Sequence, residues 1–413
     1  MRATALLRSP RIWVFTVLGA LMALLVTFGY LGGALDSSTS PGKRVPIAWV
    51  NADKGPTGTD LTKQITEGQA ADAANWVVAQ DEDDARRMLS RDEVYAAVLL
   101  PADLTARLQA LADPRATPQP VKVTVLTNPI AGPAANGTAT AVSDAVLHKM
   151  SLGVGEKLLA NPAAANIKGA ARLELSDPIS TTKTPWLAPP EHSANGLAAF
   201  YYSVVLLMTG FLLSQLLHSG VDGVAGFAPR ELLHRRQTKA PLPIDRTHTL
   251  LTKTGLLAGC SLVAASVIEL LAVQVLEMPT AHAGQLWLFS VLAVLTGGML
   301  PLTLLAIFGT PGTLVATALL LIFGVPSSGG PFPPELQPPF FRTLGHVLPL
   351  RYTTDGARDL IFDTAGGGLR TGVPVLGAWL LGSLLLGLMI ARLYDRNGLH
   401  RTSEHERLMS APA

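Results

Sequence analysis

Apolar residues in this chain come in long unbroken runs near both ends, with a mixed, partly alternating pattern between them. Residues 12–31 form a continuous apolar run, and about 20 such residues are enough to span a bilayer. Further runs cover residues 196–217, 256–275, 286–308, 313–325 and 373–390. Together they predict six membrane helices. A cleaved signal peptide is the rival reading of the first run. Its apolar core would be about 7–15 residues long and end at a small-residue cleavage site. This run is longer and ends in YLGGALD, which predicts an uncleaved anchor.

The stretch from residue 44 to about residue 180 is polar and long enough for one domain. Residues 45–50 (VPIAWV), 76–78, 94–100 and 121–127 read as strands. Residues 60–69, a segment opening at the acidic run 81–84, a segment starting at Pro101 and residues 134–159 read as helices. Alternating strands and helices predict an α/β domain. The expected fold class is an α-helical integral membrane protein of six transmembrane helices, with an extracytoplasmic α/β domain between the first and second. The expected divisions are an anchor over 1–36, the α/β domain over 37–193, a five-helix membrane domain over 194–395 and a tail over 396–413. Residues 218–255 form the expected inner loop.

Residues 321–363 are too apolar for a solvated loop and too broken for a spanning helix. Two serines and two glycines at 327–330 precede PFPPELQPPFF. Backbone groups in lipid must be satisfied internally, so residues 326–372 are expected to be re-entrant or interfacial, with one or two helices over 344–362. In that setting Arg342, Arg351 and Arg358 reach for headgroups. Phe340, Phe341, Leu348 and Leu350 lie in the acyl boundary.

Composition sharpens this picture. Only 15% of the residues are charged, where soluble domains have about 25%. Mean hydropathy is +0.34. The formal net charge of +2 makes nucleic acid an unsuitable partner. The single cysteine, Cys260, excludes a disulfide framework and a cysteine-rich metal site. Arg2, Arg8 and Arg11 place the N-terminus in the cytoplasm, and Arg392, Arg396, Arg401 and Arg407 place the C-terminus there too. A bacterial plasma membrane is the expected location. The arginines at 342, 351, 358 and 370 oppose this orientation unless they sit at the membrane interface.

Three blocks of the chain resemble a known family in order and spacing. They are VPIAWVNADKG near residue 50, ARRMLSRDEVYAAVLLPADLTARL from residue 85, and SSGGPFPPELQPPFF followed by LPLRYTTDGARDLIFD. They are similar to type-2 ATP-binding-cassette (ABC-2) exporter permeases, in particular the YhgE/Pip (phage infection protein) branch. The resemblance implies export of a lipid, drug or envelope component by a homodimer. It also implies a separate ATP-binding subunit, because the chain has no G-x-x-x-x-G-K-[ST] phosphate loop. The same branch implies an alternative, a non-transporting scaffold or surface receptor in phage infection or secretion. A weaker alternative is a proton-driven exporter, since the layout resembles half of a resistance-nodulation-division pump.

Candidate residues follow. Ser327, Ser328, Gly329, Gly330 and Phe332 form a small-residue turn that reads as an outer gate, or as a plain helix stop before a proline-rich loop. The loop from Pro229 to Lys253 resembles the one that meets the ATPase in such permeases, with Arg235 and Arg236 as contacts. It also reads as a basic loop that touches anionic lipid. Glu269 is the only acid well inside a predicted span. Such acids are costly and often functional, although a place near the outer helix end would let it reach water. The acidic run 81–84 reads as a cation site or as a helix cap. Gly297, Gly298 and Gly382 read as close-packing points. No residue set suits covalent chemistry, metal binding or a cofactor, so no enzymatic activity is expected.

Overall fold

The computed structural model describes residues 10–27, 31, 45–68, 70–111, 119–161, 169–227, 230–232, 235–237, 242 and 244–399. Helix α1 (Pro10–Thr27) lies beside residues 318–322. Residues 32–44, where the expected anchor meets the expected α/β domain, and the expected tail beyond residue 399 lie outside the described residues.

Residues 45–186 build a five-stranded mixed sheet. Its strands are β1 (Pro46–Asn51), β2 (Asn75–Ala79), β3 (Ala96–Leu100), β4 (Val121–Thr127) and β5 (Ile179–Pro185), in the order β2-β1-β3-β4-β5. β1 pairs in parallel with β2 and β3, β3 pairs antiparallel with β4, and β4 pairs in parallel with β5. Helix α2 (Pro56–Thr66) follows β1 and α3 (Glu82–Ser90) follows β2. Helix α4 (Leu104–Ala110) follows β3 and the long α5 (Pro133–Leu159) follows β4. Helix α6 (Ala170–Ser176) leads into β5.

β1 is apolar without alternation because both of its faces are covered. Ile47 and Trp49 pack into the core under α2, α4 and α5, while Ala48 and Val50 pack under α3. Burying a side chain such as Ile47 contributes roughly 1.5–3 kcal/mol. The acidic run is a helix start: Asp81 accepts from the Asp84 amide at 2.7 Å, and the acids behind it suit the helix dipole. At the end of β1, Asp53 is buried. It accepts from Thr105 Oγ1 at 2.5 Å and the Gly58 amide at 3.0 Å. Burial opposes its charge, but these bonds hold its carboxyl below the ordinary value.

Beyond the sheet domain come α7 (Ala198–Val224) and a short hairpin, β6 (Arg230–Leu232) and β7 (Arg235–Gln237). Then follow α8 (Arg246–Glu269), which widens into a π-type turn over Leu270–Val275, and α9 (Ala283–Phe308). Helix α10 (Pro311–Thr317) widens likewise over Ala318–Ile322 before α11 (Gly324–Ser327). The chain closes with α12 (Pro339–Gly345), α13 (Pro349–Phe362) and α14 (Gly368–Arg396). Among the described residues, α7, α8 with its π turn, α9 and α14 are long and apolar enough to cross a membrane, and Pro311–Ser327 is a shorter apolar helix.

Close approach holds the bundle together. A Cβ on Gly297 would fall 2.6 Å from the Leu207 carbonyl oxygen, and one on Gly298 3.0 Å from that of Gly210. Helices α7 and α9 therefore cross on glycine. Gly382 is different: among the described residues a Cβ there would meet nothing within 4 Å, so it is no packing point within this bundle. Thr296 and Thr303 on α9 donate to the Leu376 and Ser383 carbonyls of α14 at 3.2 and 2.8 Å.

Two further expectations are corrected. Residues 218–224 continue α7 and 246–255 belong to α8, so the segment between these two helices is shorter than 218–255. Phe341, Leu348 and Leu350 are buried in protein rather than lying at an acyl boundary, and only Phe340 of that set is exposed.

Candidate functional site

The seam between the sheet domain and the helices holds a cavity of about 240 Å³. The loop between α3 and β3 supplies Arg91, Asp92 and Tyr95 from above. Helix α13 supplies Arg351, Asp355, Arg358 and Asp359 from below. Helix α13 is amphipathic: Leu350, Ala357, Leu360 and Ile361 are buried, and the charged residues share the other side. At 14 residues it is only about 21 Å long, too short to span hydrocarbon.

Arg358 is the centre of the seam. It is 8% exposed, so the expectation that it reaches a headgroup is corrected. Its Nη1 lies 3.4 Å from Asp92 Oδ2 and 3.5 Å from Asp355 Oδ1. Its Nε is buried without a hydrogen-bond partner. Arg351 Nε stands 3.8 Å from Asp355 Oδ2. Close charge-assisted bonds measure about 2.7–2.9 Å, so this network is loose. Asp359 is engaged elsewhere, accepting from Thr364 Oγ1 and the Leu369 amide at 2.9 Å each.

The electrostatics follow from crowding and burial. Burial pushes the Asp355 carboxyl up to about 6, against the pull of Arg358 and Arg351. Burial likewise raises Asp92 against Arg358. Burial raises the Tyr95 phenol well above its ordinary value, and the neighbouring Glu335 charge adds to this. Burial works against the Arg358 charge, but Asp92 and Asp355 outweigh it and raise its value.

The small-residue turn forms the wall of this seam. Ser327 ends α11, is buried, and its Oγ has no partner. Ser328 Oγ donates to the Val325 carbonyl at 2.8 Å and accepts from the Gly330 amide at 3.2 Å. Gly329 has a φ of +75°, a conformation that favours glycine. A Cβ on Gly330 would overlap the Phe200 ring, and one on Gly132 would sit 3.4 Å from the Gly330 carbonyl oxygen. Small residues here let the turn wedge between the starts of α5 and α7. Phe332 is exposed, and Gln337 Nε2 donates to its carbonyl at 2.8 Å. Tyr95 donates to Glu335 Oε2 at 2.8 Å, tying the loop to the sheet domain.

A second polar cluster lies at the other end of the bundle. Lys253 and Asp222 are 3% and 6% exposed. Lys253 Nζ donates to Asp222 Oδ1 at 2.6 Å and lies 3.1 Å from His218 Nδ1. His218 Nε2 stands 3.2 Å from Asp222 Oδ2. A neutral imidazole protonated at Nε2 satisfies both contacts. Beside it, Asp395 of α14 caps α8: it accepts from the Arg246 and Thr247 amides at 3.0 Å each and from Thr247 Oγ1 at 2.7 Å.

The family model for ABC-2 family transporter proteins matches residues 10–392. The chain belongs to this family. It is a multi-pass membrane protein, and permeases of the ABC-2 family work with an ATP-binding subunit. No curated protein and no solved structure matches it.

This chain thus carries two charged clusters that sequence reading missed. The signal for the second was present in part, because His218 and Asp222 are four apart on one helix. Arg235 and Arg236 lie in β7, and their side chains are outside the described residues. Glu269 closes the regular part of α8, half-buried, with Oε2 enclosed and unpartnered. Nearby, Tyr202 shares a hydrogen bond of 2.7 Å with Ser290 Oγ. Among the described residues no group of His, Cys, Asp and Glu could hold a metal ion.

Proposed function

We propose that this chain is the permease of an ATP-driven exporter in the YhgE/Pip-like branch, acting as a homodimer with a separate ATP-binding subunit. The cargo is a lipid, drug or envelope component. On this reading six helices cross the bacterial plasma membrane: α1, α7, α8, α9, the segment 311–327 and α14. The sheet domain then faces outward, and both termini and the β6–β7 hairpin face the cytoplasm. The observation that carries the reading is the family match over residues 10–392, a range that takes in the first helix, the sheet domain and the helical bundle. The resemblance of the residues around 50, 85–108 and 327–363 to that branch supports the finer assignment.

The test is purification of the tagged chain from its host in mild detergent, followed by native mass spectrometry. Two copies of the 43.4 kDa chain with a stoichiometric nucleotide-binding protein are expected. Copies bound to an envelope or secretion partner, without any ATPase, would overturn the export reading in favour of a scaffold or receptor.

A further inference from the structure

We infer that the seam around Arg358 is a proton-binding catch, which seats the sheet domain on the helices more firmly as the surroundings become acidic.

The geometry carries this. Seating brings Asp92 of the sheet domain against Asp355 and Asp359 of α13, and Tyr95 against Glu335. Two carboxylates, Asp92 and Asp355, thus face one buried guanidinium, and Asp359 and Glu335 line the same cavity, with Arg351 looser and Arg91 at the mouth, paired with Glu93 at 3.8 Å. No short ion pair compensates the acids for lost water, because both contacts to Arg358 exceed 3.3 Å. When the domains part, Asp92 leaves its like-charged neighbours, and both sides regain water. The seated state is therefore where a proton is held most tightly.

The direction follows by linkage. Asp355 titrates near 6 in the seated state, against 3.8 for a free carboxyl. Asp92 is raised as well. The seated form binds more protons than the parted form between these values, so seating is favoured below about 6 and weakens as pH rises through it. This is opposite to an ordinary salt bridge, which acid breaks. The cavity keeps the joint accessible: Asp355 is 33% exposed, so protons reach it without the domains first separating. With the sheet domain outward, as proposed above, the catch responds to the pH outside the membrane.

The test uses the full chain in detergent and does not depend on transport, so its failure leaves the export reading standing. Cys260→Ser clears the one native thiol. Spin labels at Lys63→Cys and Gln285→Cys, both exposed, report the distance between sheet domain and bundle. Acidification from pH 8 to 5 is expected to raise the ratio of seated to parted forms by about tenfold. One carboxyl moved from 3.8 to about 6 gives about tenfold between pH 8 and 5, because pH 5 lies only one unit below the raised value. Asp355→Asn is expected to hold the seated distance at pH 8 and to flatten the profile, with Asp92→Asn acting the same way. The wild-type profile needs no variant, so a poorly folding Asp92→Asn protein does not rescue the idea. A flat wild-type profile, parting on acidification, or an unchanged profile in Asp355→Asn would each overturn it.

Discussion

The two ends of the molecule each bury a basic side chain against acids, and they do it in opposite ways. Lys253 and Asp222 meet at 2.6 Å, both nearly sealed from solvent, with His218 completing a closed triangle. Arg358 meets Asp92 and Asp355 at 3.4 and 3.5 Å beside a cavity of about 240 Å³. The first is a nearly dry joint within the bundle, linking α7 to α8, with a cavity of only about 20 Å³ beside it. The second is a wet joint between two structural units. A sealed pair has no water to fall back on when one partner is lost, so it favours one arrangement. A loose pair next to water can be given up and re-made. The contrast assigns rigidity to the α7–α8 end and adjustability to the seam.

The largest effect is expected from the dry joint. Lys253→Met takes the ammonium away from the buried Asp222 and leaves it His218, and a loss of about 3 kcal/mol is expected. Thermal unfolding in detergent measures it. The double variant Lys253→Met/Asp222→Leu is expected to recover most of the loss. A single variant as stable as wild type would end the contrast.

Arg358→Gln at the seam is expected to cost less, about 1–3 kcal/mol, because cavity water reaches the stranded acids. The same unfolding assay compares the two. A cost equal to that of Lys253→Met would show that the seam is as dry as the other end.

Much of the architecture was legible in the sequence. Four of the six long apolar runs fall in helices long and apolar enough to cross a membrane, and β4 was read at its observed bounds because Val121, Val123 and Val125 alternate with more exposed residues. β5 was not read. Its sequence ISTTKTP holds one large apolar residue, and the strand exists because β4 offers it a parallel edge. The charged face of α13 was visible, but its partner was not. Asp92 lies 266 residues from Arg358 in the chain, and no local periodicity encodes such a pairing. Lys253 was missed for a related reason: it was read only as the end of the basic inner loop, and only the fold brings Asp222 to it. The small residues at 327–330 were noticed, but their reason lay in Phe200 and Gly132, which no local pattern points to.

Two smaller effects refine the comparison. Asp395→Ala removes the cap of α8 beside the dry joint, and a loss of about 1–2 kcal/mol is expected, seen as faster amide exchange over residues 246–250. Tyr95→Phe removes the hydrogen bond to Glu335 at the seam. A loss of about 1 kcal/mol is expected, with faster exchange confined to the loop around residue 335. Exchange spreading into α7 and α8 would show that the two ends are not independent.

The account rests on the two clusters facing opposite sides of a membrane. On a Cys260→Ser background, Lys63→Cys marks the sheet domain, and His248→Cys marks the start of α8, where the native side chain is 72% exposed. A membrane-impermeant thiol reagent applied to intact cells tests this directly. Labelling at 63 without permeabilisation, and at 248 only after it, is the predicted result. Labelling of both from the same side, or the reverse order, would contradict the account.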